Sequence, residues 1–274
     1  MNLSDDTINR FGGIGRLYGA EALARYQSAH VMIIGIGGVG SWTAEALARS
    51  GVGRLTLVDL DDLCITNTNR QLPAHDGNYG RMKADALAER IRLISPHCEV
   101  TTELRFYSAS SADALLGTTP ETAPTAVVDA IDAIKAKCHL LATCHQRGIP
   151  ICTSGGAGGK RDATRITTAD LAHVHGDKLL SSVRQRLRKE YHFPRGTDQK
   201  KPRKFGITAV YSDEQMTPPQ PCSISEGADP VSATDNTPRN LNCATGYGAV
   251  THVTATFGLV LAQLTLDALA TGQQ

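Results

Sequence analysis

The chain has 274 residues, long enough for one large domain or a core domain with an appendage. Its 28 basic and 27 acidic side chains leave a formal net charge of +1, which excludes a global acidic or basic field and confines any nucleic-acid contact to a local patch. Seven scattered cysteines with no C-x-x-C pair give no support to a zinc knuckle and fit free thiols in a reducing, cytoplasmic setting.

The opening residues, MNLSDDTINRFGG, lack the basic-then-apolar layout of a secretory leader. From residue 30 to 154, short apolar runs alternate with amphipathic segments. The pattern predicts strands at 31–34, 55–58, 100–102, 126–128 and 149–153, and helices at 41–50, 81–94, 109–116 and 134–147. Alternation of this kind implies an α/β, Rossmann-like doubly wound fold, with a mainly parallel sheet and helices on both faces. Right-handed crossovers then align the C-terminal strand ends on one rim, where ligands bind.

After Ser154 the texture changes. A glycine cluster (Gly155, Gly156, Gly158, Gly159) leads to a predicted strand at 164–168 and a charged helix at 177–190. Residues 192–243, rich in Pro, Gly, Ser and Thr, read as long loops. The terminal stretch 244–270 is apolar but carries His252, Gln263 and Asp267, whose cost in a bilayer argues against a membrane span. It reads as a buried or dimer-facing helix, with peripheral membrane contact as the alternative. The pattern implies a single domain: a nucleotide-binding core at about 19–160, a basic loop-rich segment at 161–243 and the terminal helix.

The first strand breaks on GIGGVG, in which Gly35, Gly37 and Gly40 satisfy G-x-G-x-x-G and Gly38 adds a fourth glycine. Such a turn lets phosphate oxygens reach backbone N–H groups at a helix N-terminus. Asp59 closes the second strand at the spacing of a ribose-hydroxyl acceptor. A dinucleotide would satisfy this much, and would point to an NAD dehydrogenase. The residues after Asp59 favour ATP, because a triphosphate carries about four negative charges and needs cations around it. Arg70 and Lys83 fall at loop and helix-start positions, Asn67 and Gln71 flank Arg70, and Asp132 lies in the loop after the fourth strand, positioned for Mg²⁺.

Together, Gly35 to Gly40, Asp59, Asn67-Thr68-Asn69-Arg70-Gln71, Lys83 and Asp129-Ala130-Ile131-Asp132 resemble the adenylating domain of the ubiquitin-activating-enzyme superfamily. RFGGIGRLYG (10–19), TSGGAGGKRD (153–162) and VTATFG (253–258) are similar to its branch of tRNA threonylcarbamoyladenosine dehydratases. The resemblance implies that Asp59 binds ribose, Asp61 adds a second acid beside the nucleotide, Asn69 joins the binding loop, Arg70 and Lys83 clamp phosphates, and Asp132 is the metal-side carboxylate. It implies ATP and Mg²⁺ without zinc, and allows a Na⁺ or K⁺ ion whose ligands spacing does not locate. It further implies a homodimer, a tRNA substrate and a cysteine-desulfurase or other sulfur-acceptor partner. Relatives place an arginine near the N-terminus that reaches the partner subunit's ATP. Here that position falls near Gly13, leaving Arg10 and Arg16 as substitutes, with Arg16 preferred.

The implied chemistry is ATP-dependent cyclisation of a threonyl carboxylate beside the anticodon. The alternative is adenylation of the C-terminal glycine of a sulfur-carrier protein, and a third reading is a non-catalytic nucleotide-sensing module. The absent zinc cysteines weigh against the carrier protein. Cys222 and Cys243 occupy the region of a crossover-loop thiol but have no activating His in their segments. The stretch 184–204 concentrates positive charge, with Arg184, Arg186, Arg188, Lys189, Arg195, Lys200, Lys201, Arg203 and Lys204 against Glu190 and Asp198. That pattern suits a phosphate backbone, and Lys160 and Arg161 extend it. Tyr191, His192 and Phe193 add aromatic groups for a splayed base.

Overall fold

The computed structural model describes residues 4–195, 203–220 and 247–272. Lys200, Lys201, Cys222 and Cys243 lie outside them. Among the described residues the strands are β1 (His30–Ile34), β2 (Arg54–Val58), β3 (Glu99–Glu103), β4 (Ala126–Asp129), β5 (Ile151–Ser154), β6 (Ile166–Asp170) and β7 (Thr208–Ser212). They form one sheet in the order β3-β2-β1-β4-β5-β7-β6. All neighbours are parallel except β6 and β7. The expected doubly wound sheet is therefore present.

Alternation within each strand explains the two covered faces. Val31 and Ile33 of β1 pack into a core beneath α2 (Ala20–Ser28), α3 (Gly40–Arg49), α4 (Lys83–Ile94) and α8 (Thr251–Thr271). Met32 and Ile34 point the other way, towards α5 (Ala112–Leu116) and α6 (Ile134–Arg147). A five-residue strand buried on both sides reads as a continuous apolar run, as HVMII does. Beyond the sheet, α6 packs on α7 (Lys178–Glu190) through Leu141, Val183 and Leu187.

Three features depart from the sequence expectation. Two helices, α1 (Asp5–Tyr18) and α2, precede the first strand. Glycines at 12, 13 and 15 obscure α1 in the sequence, but Ser4 caps it by accepting the N–H of Thr7, and buried Phe11 anchors it. Within the segment read as loops, TAVYS forms β7, because Ala209 and Val210 find cores on opposite faces between β5 and β6. The terminal helix begins at Thr251, and residues 247–250 are not helical. It is long and apolar enough to cross a membrane. Instead Val253, Phe257, Leu261 and Leu266 are buried against the rest of the chain, where α8 covers α3.

Candidate active site

The strand order reverses direction between β1 and β4, so the loops leaving their C-terminal ends diverge and open a crevice. A pocket of about 480 Å³ occupies it. Gly35, Gly37, Gly38, Asp59, Asp61, Asn67, Asn69, Arg70, Gln71, Lys83 and Asp132 all line this pocket. A larger cavity, about 600 Å³, opens at the opposite rim, where its Arg147 is already committed to Asp113 and the carbonyl of Gly117. The charge suited to a nucleotide is at the first.

The four glycines do two different jobs. Gly35 has φ +93°, and a Cβ there would lie 2.8 Å from the carbonyl oxygen of Ala130. A Cβ on Gly40 would collide with the carbonyl of Gly35. These two let β1, the β4 loop and α3 approach closely. Gly37 faces open space, and Gly38 lies beneath the Arg70 side chain. Gly37 leaves room for a ligand, whereas Gly38 leaves room for Arg70, whose Cγ a Cβ would meet at 3.2 Å. No side chain caps α3; in its first turn the N–H groups of Ser41 and Thr43 donate to the carbonyls of Gly37 and Val39, so only the remaining N–H groups at its start can meet an anion.

Asp59 is buried, and its carboxylate accepts from the N–H of Ile36 at 2.6 Å and of Asp61 at 2.9 Å. Burial raises its pKa above the ordinary carboxylate value, a rise the Asp61 N–H and the Lys83 charge reduce. Buried Lys83, at the start of α4, meets Asp61 at 2.7 Å. Arg70 Nη1 donates to the Thr66 carbonyl and to Asn69 Oδ1, each at 3.0 Å. Its own carbonyl accepts from Trp42 Nε1 of α3, which fixes the loop to that helix. Asn67 accepts the Cys64 N–H and shapes the turn before Arg70. Asn69 donates to the Ala249 carbonyl and so ties that loop to the chain entering α8.

Gln71 is buried, and its Oε1 has no hydrogen-bond partner among the described residues. An orphaned acceptor, an uncapped helix start, Cβ-free approach, two cations and an exposed carboxylate at Asp132 all fit a magnesium nucleotide.

Other expected residues fall elsewhere. Arg16 is exposed on α1, no residue of which lines the pocket. Lys160 does not offer charge to a polyanion: it is 3% exposed, and its ammonium donates to the carbonyls of Ser212 and Glu214. Burial lowers its pKa. Arg184 is half-buried with Nη1 shielded from solvent, and Arg188 stacks over Phe205 and donates to the Pro194 carbonyl. Phe193 packs on Phe205 in the core, away from any splayed base. Exposed positive charge remains at Arg161, Lys189, Arg203 and Lys204. Four cysteines (Cys98, Cys138, Cys144 and Cys152) are buried, and burial pushes their thiols up, to about 12 at Cys144 and Cys152.

Sequence reasoning missed the far wall. Ser154, Gly155, Gly156 and Gly158 line the same pocket, so the second glycine cluster faces the first. Asp177 caps α7 at the N–H of Leu180 and also takes the N–H of Gly156, joining that wall to the basic helix. Phe106 and Tyr247, both partly exposed, add aromatic surface. The glycine cluster is visible in the sequence, but nothing in its local order ties that strand end to the nucleotide loop.

The ThiF family model matches residues 13–273. The tRNA threonylcarbamoyladenosine dehydratase of Haemophilus influenzae is 45% identical over 265 residues, covering 97% of this chain and 95% of that protein. Its Escherichia coli counterpart is 43% identical over 259 residues, 94% and 92% of the two chains. The crystal structure of E. coli tRNA N6-threonylcarbamoyladenosine dehydratase in complex with ATP superposes with a TM-score of 0.83 at 38% identity, covering 99% of this chain and 98% of that one. A second crystal structure of that protein contains AMP. On sequence and structure alike, the chain belongs to the ThiF family.

Proposed function

We infer that this protein is an ATP-dependent adenylating enzyme that dehydrates N6-threonylcarbamoyladenosine in tRNA, next to the anticodon. The observation that carries this is one pocket at the sheet's switch point holding the glycine loop, Asp59, Arg70, Lys83 and Asp132. Similarity to the dehydratases over nearly the whole chain supplies the substrate.

A threonyl carboxylate oxygen attacks the α-phosphorus of ATP, pyrophosphate leaves, and an acyl-adenylate forms. A neighbouring group of the same nucleoside then attacks the activated carbonyl, closes a ring and expels AMP. One water is lost from the base while ATP becomes AMP and pyrophosphate, and no enzyme thioester is needed. The carboxylate is a weak nucleophile and the α-phosphate is surrounded by negative charge, so positioning and charge neutralisation are what the protein contributes. Asp59, pre-set by two backbone N–H groups, takes the ribose hydroxyls. Arg70 and Lys83 offset phosphate charge, and Asp132 would hold a Mg²⁺ ion, which when bound would add to that neutralisation. Arg161, Lys189, Arg203 and Lys204 bind the tRNA backbone.

The resemblance also supports a cytoplasmic homodimer in which Arg16 reaches the partner's nucleotide, a Na⁺ or K⁺ site, and a sulfur-acceptor partner. Peripheral membrane contact through α8 is the least supported, because Val253, Phe257, Leu261, Leu266 and Leu269 are taken up in the core, with Leu259 left exposed.

Purified protein, ATP and Mg²⁺ incubated with tRNA carrying the modified base test the reading. The expected result is loss of one water from that base, with AMP released in equal amount. No mass change, with AMP formation dependent instead on an added carrier protein, would replace the tRNA substrate by that protein.

A further inference from the structure

We propose that Lys137 is a positioning residue for adenylation, holding the loop that carries Asp132 through a buried ion pair with Asp129. The proposal rests on the adenylation reading above. Both side chains are fully buried, and Lys137 Nζ lies 2.9 Å from Asp129 Oδ2. The same ammonium donates to the carbonyl of Ile131 at 2.8 Å. Asp129 Oδ1 accepts the N–H of Ile131 at 3.1 Å. Ile131 is thus gripped at both its N–H and its C=O by the two members of one pair. Thr153 on β5 donates to Asp129 Oδ2 at 2.6 Å and fixes the pair to the sheet.

The neighbouring residue is fixed as well. Ala130 donates to the Ile34 carbonyl at 2.9 Å, and its own carbonyl lies against Gly35 with no room for a Cβ between them. Two consecutive residues before Asp132 are therefore locked, one to the glycine loop and one to the ion pair. Asp132 itself is exposed in the pocket. Its placement comes from the backbone beneath it.

Energetics point the same way. Removing two charges from water is expensive, and an apolar pair of similar volume is often as stabilising. Lys137 sits on the buried stripe of α6 with Cys138, Leu141 and Cys144, where a leucine or methionine would pack without that cost. An apolar pair could not hold a peptide group by both ends. Retention of the charges is explained by the geometry they impose.

The test uses the full-length protein with tRNA, ATP and Mg²⁺, measuring thermal unfolding, ATP affinity and kcat of AMP formation. The charge-free Asp129→Asn/Lys137→Met double variant is expected to melt within a few degrees of the unsubstituted protein and to bind ATP within about threefold, while kcat falls by about 30- to 100-fold. Added to Asp132→Ala, the same pair should lower the residual rate no further, because the loop then has nothing to position. Thr153→Val, which keeps shape and both charges, should lower kcat by about threefold to tenfold at unchanged ATP affinity. It decides the matter if the double variant does not fold. A folded double variant with normal kcat, an unchanged Thr153→Val rate, or losses that multiply with Asp132→Ala would overturn the proposal. AMP formation by the unsubstituted protein in the same assay separates failure of the adenylation reading from failure of this one.

Discussion

At the scale of single residues, identical side chains serve unlike purposes according to what surrounds them. Gly35 and Gly40 close a backbone contact, while Gly37 faces open space and Gly38 makes room for the Arg70 side chain. Lys83 and Lys160 are both buried, but Lys83 meets a carboxylate at the pocket and Lys160 is spent on two carbonyls. Arg70 lies over Gly38 with only neutral oxygens as partners, which leaves its charge for phosphate. Arg70→Ala is therefore expected to lower AMP formation by about 10²- to 10³-fold with little change in melting temperature, because its side chain contributes charge and little core packing. Single-turnover kinetics beside a thermal melt check this, and near-normal turnover would remove Arg70 from the clamp.

At the scale of elements, one acid joins two helices. Glu45 on α3 accepts from Arg49 on the same helix at 2.8 Å and from Arg90 on α4 at 2.8 and 2.9 Å. Burial alone would raise its pKa, but the Arg90 and Arg49 bonds outweigh that and hold it below the ordinary 4.5. A carboxyl depressed in the folded state binds fewer protons there than in the unfolded chain. Its stabilisation is then present above about 4.5 and is lost as pH falls through the lower folded value. Glu45→Gln is expected to lower Tm at pH 7 by about 2–4 °C, with the gap to the native protein narrowing as pH drops below about 4. Melting curves across that range read the sign directly; a gap that widens on acidification would contradict it. Since α3 begins at the glycine loop and α4 at Lys83, this clamp also sets the two helix starts relative to each other.

At the scale of the whole molecule, a near-neutral chain must bind a polyanion through a restricted surface. Folding divides the basic residues of the sequence into those at work inside and those left outside. Lys160 is withdrawn and Arg188 lies on Phe205, whereas Arg203 and Lys204 remain exposed close by. Reversing Arg203 and Lys204 to Glu should weaken tRNA binding and reduce the slope of log K against log salt by about 2, with ATP affinity unchanged. Binding measured at several salt concentrations checks this, and an unaltered slope would place the tRNA surface elsewhere. Asp177 gives this surface a mechanical link to the pocket, because it caps α7 and holds Gly156 at once.

The alternation of strands and helices, the glycine turn and Asp59, Asn67, Arg70, Gln71, Lys83 and Asp132 are legible from local order, because periodicity and turn chemistry act between near neighbours in the chain, while Asp61 and Asn69 enter only through the family resemblance. That is why the expected limits of α6 coincide with its observed ones, and why every nucleotide residue expected beyond Gly40 lines one pocket. Chain order does not express contact between distant segments. The strand β7 needs β5 and β6 on either side to become a strand, and α1 needs the core beneath Phe11. The second glycine cluster becomes a wall only when β5 brings it opposite the first. The burial of Lys160 and the pairing of Asp129 with Lys137 likewise depend on tertiary packing. A charge in a sequence has a sign and a spacing, but its energy depends on the water and partners around it, and only the folded chain assigns those.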